Sequence, residues 1–404
     1  MPRGPYDIAI IGAGIIGLST ARFIAKDFPR LKVVVLDKET QIAQHQTGHN
    51  SGVIHSGIYY KPGSQKAQFC VAGVEAMKKY CIEKGISIDE CGKVIVATNS
   101  NQLEPLEQLY KRGIENGVPN LKVIGPEELT EIEPHVRGIR AIHAPHTAIV
   151  SFKQVSEEYA KDIEEFGGNI LLGHKVINVS TRNDILSIET SKGIIQAKYI
   201  INCGGLYADK IASMIGQSSH IRIIPFRGEY FILRSTSKHF VRGLVYPVPD
   251  PRFPFLGVHY TKRITGEIEA GPNAVLAWAR EGYSKTNINL METISNLAFP
   301  GFWRMAYKNW RTGFSELHRS YMKSVFVRDL QRLIPEITGA DINPGGAGVR
   351  AQAVNQSGRL LDDFSIVESK RAIHVLNAPS PGATSSLAIG KTITTLAANN
   401  FSLS

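Results

Sequence analysis

The sequence has few cysteines, no zinc-binding pattern and no block of consecutive basic residues. Its only cysteines are Cys70, Cys81, Cys91 and Cys203, which form no CxxC pair and show no metal-ligand spacing. We therefore expect reduced cysteines that pack as small apolar side chains, and we predict no metal site. The spacing of the four cysteines is compatible with a disulfide but does not require one. Because RNP-type motifs are also missing, we expect no nucleic-acid partner.

A long apolar run is missing as well. No segment offers about twenty uncharged apolar residues, so we do not expect a transmembrane helix. The stretch from Ile8 to Leu18 resembles a signal-peptide core in composition, but Asp7 precedes it and no small-residue cleavage site follows. A buried strand that enters a glycine-rich turn explains it better. Since this strand begins soon after Met1, we expect a transit peptide to be absent or already removed. The compartment stays open: cytoplasmic or membrane-peripheral in a prokaryote, mitochondrial for a trimmed eukaryotic chain.

Lysine and arginine outnumber aspartate and glutamate, which gives a formal net charge of +10 over 404 residues. The composition is otherwise that of an ordinary globular protein, with 43% hydrophobic and 20% charged residues. A positive field could attract an anionic substrate or an acidic membrane surface. A solvated surface without a partner is an equally good explanation.

The order of predicted elements indicates an α/β fold. Residues 7–39 follow the order strand, glycine-rich turn, helix, strand, which is typical of a parallel sheet. Residues 221–275 favour an antiparallel sheet, and 287–334 favour helices. The last helix is predicted to begin near Thr384. We therefore predict a discontinuous Rossmann-type domain with an inserted substrate domain that contains a mixed or antiparallel sheet. The nucleotide domain would comprise 1–85, 150–220 and 340–404, and the substrate domain 86–149 and 221–339.

The first turn carries a dinucleotide-binding pattern. Gly12 permits the tight turn, Gly14 lets the backbone approach a pyrophosphate, and Gly17 lets helix and strand pack closely. Asp37 ends the second strand, where a carboxylate accepts hydrogen bonds from a ribose 2′-hydroxyl. An acid at this position disfavours a 2′-phosphate. The pattern therefore predicts NAD or FAD rather than NADP.

The segment 45–63 follows directly and is dense in functional side chains. It contains three histidines, two tyrosines, small polar residues and glycines. Such a composition lets the backbone approach a planar ligand and supplies hydrogen-bond donors to it. The alternative is a polar surface loop.

Several segments in a characteristic order carry a resemblance to a known family. They are residues 46–64, 225–230, 246–251, 255–259, 271–277, 347–352 and 377–381. Together they resemble the L-2-hydroxyglutarate dehydrogenase/oxidase family, within the larger group of D-amino-acid-oxidase-like flavoproteins. Two departures stand out. Asp37 replaces the glutamate common in such families, and the helical stretch 287–334 has no matching motif.

The resemblance implies FAD as the cofactor. It assigns to FAD the residues Gly12, Gly14, Gly17, Asp37, Lys38, Thr47, Asn50, Ser51, Gly52, Val53, Val176, Gly204, Gly205, Arg350, Pro381, Gly382, Ala383 and Thr384. Val176 would bind adenine through its backbone, and the last helix would point its N-terminus at the flavin. An ordinary helix start, capped by Thr384 or Ser380, is the alternative for that last element.

The implied chemistry is the oxidation of L-2-hydroxyglutarate to 2-oxoglutarate. The C2 hydrogen would leave as hydride to flavin N5, and His55 or His259 would accept the hydroxyl proton. The planar fork of Arg350 suits one carboxylate of a small dicarboxylate substrate. Further candidates for substrate binding are Tyr60, Lys61, Arg227 and His259. Two alternatives stay open: an FAD-dependent amino-acid or amine oxidase of the same fold, and a non-catalytic FAD-binding redox sensor.

The electron acceptor is a second partner of the predicted enzyme. A quinone in an electron-transfer chain, an electron-transfer protein and oxygen are all compatible with the resemblance. Between Phe302 and Arg332 there are seven basic residues against two acidic ones, with Trp303, Trp310 and Phe314 interspersed. A basic, aromatic helix face can lie on a membrane, which would suit a quinone. A solvated helix that packs on the substrate domain is the alternative.

Overall fold

The structure, a computed structural model, describes residues 5–216, 220–250 and 257–403. The parts of two family-like motifs that fall on residues 251–256 lie outside this description.

The described chain forms twenty strands and ten α-helices. The strands are β1 (Tyr6–Ile11), β2 (Val33–Leu36), β3 (Val53–Ile54), β4 (Ile88–Asp89), β5 (Lys93–Ala97), β6 (Lys122–Ile124), β7 (Arg140–Ala144), β8 (Ala148–Val150), β9 (Asn169–Leu171), β10 (Val176–Arg182), β11 (Ile185–Thr190), β12 (Gly193–Asn202), β13 (Ile221–Leu233), β14 (Leu244–Pro247), β15 (His259–Lys262), β16 (Ile268–Gly271), β17 (Val275–Leu276), β18 (Ile342–Asn355), β19 (Ser365–Ser369) and β20 (Ala372–Asn377). The helices are α1 (Ile15–Asp27), α2 (Gln65–Glu83), α3 (Leu103–Glu115), α4 (Pro126–Ile132), α5 (Phe152–Glu165), α6 (Ala208–Met214), α7 (Leu290–Leu297), α8 (Pro300–Tyr321), α9 (Lys323–Gln331) and α10 (Ser386–Phe401).

The first sheet has a parallel centre in the order β9-β2-β1-β12-β20. The central strands β1 and β2 are apolar along their length because both faces of the sheet are covered. Helices α1, α2, α5 and α10 contribute to the apolar cluster on one face. The antiparallel strands β10 and β11, with α6, contribute to the cluster on the other face. The predicted βαβ unit over residues 7–39 is confirmed as β1, α1 and β2.

The second sheet has nine strands and is mostly antiparallel. Its order is β17-β13-β16-β15-β14-β5-β7-β6, with β18 also paired to β13. One face packs against α4 and α9, and the other packs against α3. A small third sheet has the order β3-β8-β4, and β19 pairs with β20 in the first sheet. The mixed α/β fold with two kinds of sheet agrees with the predicted fold class.

Strand β18 bears on the proposed domain boundaries. It hydrogen-bonds to β13 along most of its length and so belongs to the second sheet. The boundary at residue 340 would assign it to the nucleotide domain. We therefore propose that the final nucleotide segment begins after Asn355.

Three smaller features complete the fold. Helix α10 begins at Ser386, two residues later than predicted, because residues 381–385 form turns; neither Ser380 nor Thr384 caps it. All four cysteines are free thiols. No helix within the described ranges is long and apolar enough to cross a bilayer.

Candidate active site

A cavity of about 1320 Å³ lies between the two large sheets. The carboxyl ends of β1, β2, β12 and β20 border one end of it, as expected for ligand binding at a parallel sheet. Side chains of β13, β14, β15 and β18 border the other end. We refer to these as the nucleotide end and the substrate end.

The glycines of the first turn form a tight cradle at the nucleotide end. Gly12 has φ +112°, and a Cβ there would lie 2.4 Å from the Cys203 carbonyl oxygen. A Cβ on Gly17 would lie 2.0 Å from the Gly12 carbonyl oxygen, so Gly17 serves the packing of α1 and does not border the cavity. Gly14 precedes α1 and faces the cavity. The cradle therefore leaves backbone room for a pyrophosphate.

Asp37 stands at the end of β2 with both oxygens engaged. Its Oδ2 accepts a hydrogen bond from the Ala13 N–H at 2.6 Å, and its Oδ1 accepts one from the Glu39 N–H at 2.8 Å. The neighbouring Lys38 pairs with Glu39 and with Glu281, the latter at 2.5 Å. Val176 borders the same end of the cavity. The carboxylate is thus held in place before any ribose arrives.

The two carboxylates beside Lys38 also lie close to His45. Glu39, His45 and Glu281 could together hold a metal ion by distance alone. The ammonium of Lys38 already forms ion pairs with both acids, and His45 Nε2 lies 2.9 Å from Glu39. This cluster therefore reads as an ion-pair network rather than a metal centre.

The loop that follows, residues 45–63, is shaped by its own polar side chains. The Asn50 amide donates to the carbonyls of Gln46 and Thr47, and its Oδ1 accepts from the Gly52 N–H at 2.9 Å. Thr47 accepts a hydrogen bond from the Ile15 N–H at 3.0 Å, which ties the loop to the start of α1. Thr47, Asn50, Ser51 and Val53 border the cavity, whereas Gly52 packs against β8.

The turn before α10 docks on this loop. Thr384 Oγ1 accepts from the His55 N–H at 3.1 Å and donates to the Val53 carbonyl at 3.3 Å. The hydroxyl therefore joins the C-terminal turn to β3 rather than capping α10. The cavity is bordered here by Pro381, Gly382, Ala383 and Thr384, and elsewhere by Gly204 and Gly205.

The two candidate base histidines meet at the substrate end. His259 Nδ1 donates to the Gly257 carbonyl at 2.8 Å, which leaves Nε2 as the acceptor nitrogen. Its ring stacks on Tyr246, with ring centres 3.9 Å apart. Burial lowers the pKa of His259 to about 3, and Lys93 and Arg350 add to the lowering, whereas the Gly257 bond opposes it. Burial likewise lowers the pKa of His55, with contributions from Lys93 and His259. Both rings are therefore neutral at physiological pH.

Arg350 borders the same end from β18, opposite Phe226 in the strand register. Burial lowers the pKa of Arg350, while Tyr230 and Glu316 act in the opposite direction. Tyr60 and Lys61 also border the cavity. Tyr60 lies within hydrogen-bond reach of Ser380 and is partly buried, and Lys61 is exposed.

Arg227 is the one substrate-binding candidate that does not border this cavity. It is 5% exposed and bonds Glu229 at 3.1 Å and the Ser284 carbonyl at 3.0 Å. It borders a separate cavity of about 310 Å³. A side chain engaged in this way contributes to packing of the second sheet.

Other residues at the substrate end were not singled out from the sequence. Tyr59, Tyr230 and Tyr246 border the cavity, and Lys93 stands behind Tyr59 and Tyr246. Tyr59 lies in the segment 45–63 and Tyr246 in the family-like segment 246–251, so both could have been selected from the sequence. No sequence pattern marks Lys93 as a site residue, because a lysine at the start of a strand normally reaches solvent.

The residues present fit FAD. The glycine cradle and Asp37 suit the nucleotide part, and the cavity continues without a break to the substrate end. There, His55 Nδ1 and Tyr59 Oη are buried without a hydrogen-bond partner in the described part of the chain. Buried polar atoms of this kind indicate a ligand that completes them.

Comparisons with known proteins agree with this geometry. A family model described as FAD-dependent oxidoreductase matches residues 7–396. L-2-hydroxyglutarate dehydrogenase of Indibacter alkaliphilus is 50% identical over 397 residues, which covers 98% of this chain and 100% of that protein. The human protein named L-2-hydroxyglutarate dehydrogenase, mitochondrial, is 44% identical, covering 95% of this chain and 87% of that protein.

Solved structures extend the likeness in fold. L-α-glycerophosphate oxidase from Mycoplasma pneumoniae, solved with FAD bound, has a TM-score of 0.80 at 21% identity, covering 97% of this chain and 94% of that one. Glycine oxidase from Geobacillus kaustophilus has a TM-score of 0.72 at 17% identity, covering 98% and 95%.

Proposed function

Because this chain belongs to the family of FAD-dependent oxidoreductases, we propose that it oxidises L-2-hydroxyglutarate to 2-oxoglutarate. Support comes from the relatives of that name, which match it over nearly their whole length. The observation that carries the proposal is the meeting of His259 and Arg350 at one end of the cavity. A neutral histidine with an acceptor nitrogen and a guanidinium are what a 2-hydroxy acid requires.

FAD would be held by the glycine cradle and Asp37, and when bound it would supply the oxidant for the hydride that leaves C2 of the substrate. In the same oxidation the C2–H bond breaks, the hydroxyl O–H bond breaks, and a carbonyl forms at C2. We assign the hydroxyl proton to Nε2 of His259, because the bond from Nδ1 to the Gly257 carbonyl orients the ring and fixes this tautomer. The negative charges of a bound dicarboxylate would raise the lowered pKa of this ring toward the range that a base needs. The imidazolium formed keeps its hydrogen bond to that carbonyl.

His55 is the second candidate for the base. Its backbone N–H is held by Thr384, but its Nδ1 has no partner in the described ranges, so its tautomer is not set. We propose that His55 binds the substrate oxygen and positions it for His259.

The substrate carboxylates need cations or donors. We propose that Arg350 binds the carboxylate next to C2 through its planar fork. Tyr60 and Lys61 also border the cavity, and we propose that they bind the distal carboxylate. This arrangement selects a dicarboxylate over a monocarboxylate.

Anaerobic reduction of the bound flavin tests the proposal. L-2-Hydroxyglutarate should bleach the flavin absorbance of the purified protein, whereas D-2-hydroxyglutarate and amino acids should not. Bleaching by amino acids or amines instead would favour an amine oxidase. A flavin that none of these compounds reduces would favour a non-catalytic sensor and would overturn the proposal.

We further propose that electrons leave toward a membrane quinone. Helix α8, which is kinked at Asn309, exposes large apolar or aromatic side chains at steps of three and four residues: Trp303, Tyr307, Trp310, Phe314, Leu317 and Tyr321. Lys308 and Arg311 lie on the same helix. An exposed apolar stripe with basic neighbours suits an anionic membrane surface.

Flotation with vesicles tests this surface. Wild-type protein should co-float with vesicles that contain anionic lipid, and a Trp310→Ser, Phe314→Ser variant should stay in the pellet fraction. Ile194→Ser is a matched control, because Ile194 is 65% exposed on β12, away from α8. Wild-type protein that fails to float excludes the membrane face, and self-association through the stripe would instead appear as a dimer in light scattering.

A further inference from the structure

Lys93 is a deeply buried lysine near the substrate end. Strand alternation places it on the same face of β5 as Ile95 and Ala97, which belong to the apolar cluster packed against α3. The residue is 2% exposed. No carboxylate in the described part of the chain forms an ion pair with it. Lysines are almost never buried without a partner, so this position calls for a functional explanation.

Aromatic rings hold the ammonium. Nζ lies 4.3 Å from the centre of the Tyr246 ring and 5.4 Å from that of Tyr59, within the range of cation–π contacts. Tyr246 also stacks on His259. Both tyrosines border the cavity, whereas Lys93 stands behind them. The charge is therefore close to the reacting groups but shielded from solvent.

The groups that face Lys93 do not neutralise it. They are Cys70 on α2, Cys91 before β5, His55 and Tyr59 after β3, Tyr246 on β14 and His259 on β15. None of them is a carboxylic acid. Arg350 on β18, whose lowered pKa Glu316 acts to raise, adds a second positive charge that faces His259. The substrate end thus has a positive field that attracts an anionic ligand.

We propose that Lys93 is a positioning residue of the oxidation: its ammonium, held behind Tyr59 and Tyr246, supplies a positive charge that draws a dicarboxylate to the facing histidines. The inference rests on the proposed function and adds the group that sets the electrostatics of its site.

The pKa shifts support this role. Lys93 contributes to the lowered pKa of both His55 and His259, after burial. Burial lowers the pKa of Lys93 itself to about 8. The ammonium is therefore charged at neutral pH and loses its proton as the pH rises through about 8. Above that pH, a dianionic substrate should bind less tightly.

Two substitutions separate charge from packing. Lys93→Met removes the charge with a side chain of similar length, and Lys93→Arg keeps a charge that does not titrate below pH 12. Lys122→Met is the control for the loss of one positive charge, because Lys122 is exposed on β6 of the same sheet. The measurement is anaerobic flavin reduction by L-2-hydroxyglutarate in rapid mixing between pH 4.5 and 10, together with FAD content.

We expect Lys93→Met to raise the half-saturating substrate concentration about tenfold at pH 7, as the loss of one buried charge would. The weakening of substrate binding above pH 8 should be absent in Lys93→Met, because the group that loses its proton there has been removed. Lys93→Arg should bind the substrate as tightly as the wild type does at pH 7. Its substrate binding should no longer weaken above pH 8. Lys122→Met should follow the wild type.

Two results overturn the role of Lys93. One is a Lys93→Met protein that retains FAD and matches Lys122→Met in half-saturation and pH profile. The other is a Lys93→Arg protein that still binds substrate less tightly above pH 8. This second result is decisive if Lys93→Met does not fold. A wild-type protein that L-2-hydroxyglutarate does not reduce contradicts the proposed function instead.

Discussion

The two ends of the cavity are built on different principles. At the nucleotide end, Asp37 and Lys38 already have their hydrogen bonds and ion pairs within residues 13–39 and Glu281. At the substrate end, Lys93 has no acidic partner in the described ranges, and His55 Nδ1 and Tyr59 Oη have no hydrogen bond there.

This difference indicates a division of labour. An end whose charged groups are already paired is stable by itself and presents a preformed surface to the cofactor. An end with uncompensated polar groups is costly for folding, and a bound ligand completes it. Substitutions at the nucleotide end should therefore affect the fold and cofactor content, whereas those at the substrate end should affect turnover.

The largest effect is expected from Gly17→Ala at the nucleotide end. The added Cβ would lie 2.0 Å from the Gly12 carbonyl oxygen, and backbone cannot move away easily. We expect a loss of stability above about 4 kcal/mol and no bound FAD, measured by thermal melting and by the ratio of flavin to protein absorbance. Gly313→Ala in α8 is the control, because its Cβ would meet nothing within 4 Å. Full FAD content in Gly17→Ala would contradict the view that substitutions at the nucleotide end affect the fold and cofactor content.

At the substrate end, His259→Gln should abolish most turnover and leave the cofactor bound. Removal of a general base reduces the rate about 10²- to 10⁴-fold. The measurement is the anaerobic rate of flavin reduction, with FAD content as the check on folding. A loss of less than tenfold would move the role of base to His55.

Arg350→Lys tests recognition at the same end. Lysine keeps a positive charge but cannot bind a carboxylate through two parallel hydrogen bonds. Loss of one charged hydrogen bond amounts to about 1.5–3 kcal/mol, so the half-saturating substrate concentration should rise about 10- to 100-fold. Unchanged half-saturation would show that Arg350 does not contact the substrate.

The smallest effect concerns a buried histidine away from the substrate end. His374 on β20 is fully buried, and burial lowers its pKa to about 4. Below its ordinary pKa of 6.5, the unfolded chain binds a proton that the folded chain does not, so stability falls as the pH decreases. By pH 5 this contribution should reach about 1–2 kcal/mol.

His374→Gln should therefore flatten the decrease in melting temperature between pH 7 and pH 5 while turnover at pH 7 is retained. His259→Gln should flatten it too but lose turnover. Equal loss of turnover in both variants would show that the two regions are coupled.

Much of the nucleotide end could be predicted because its constraints are local. Gly12, Gly17 and Asp37 are separated by few residues, and the steric need for glycine follows from a turn and a helix contact within one βαβ unit. His55, His259 and Arg350, which lie in the family-like segments, border one cavity, although their meeting depends on strands far apart in sequence.

The sequence by itself determined the strand–turn–helix cradle, the carboxylate at the end of β2 and the family of the chain. Tertiary structure alone decided that Lys93 is buried, that Arg227 turns to Glu229 and that the aromatic side of α8 faces outward. The physical reason is that local backbone geometry depends on neighbouring residues, whereas burial and charge pairing depend on which distant elements pack together. The nucleotide end belongs to the first kind of constraint and the substrate end to the second.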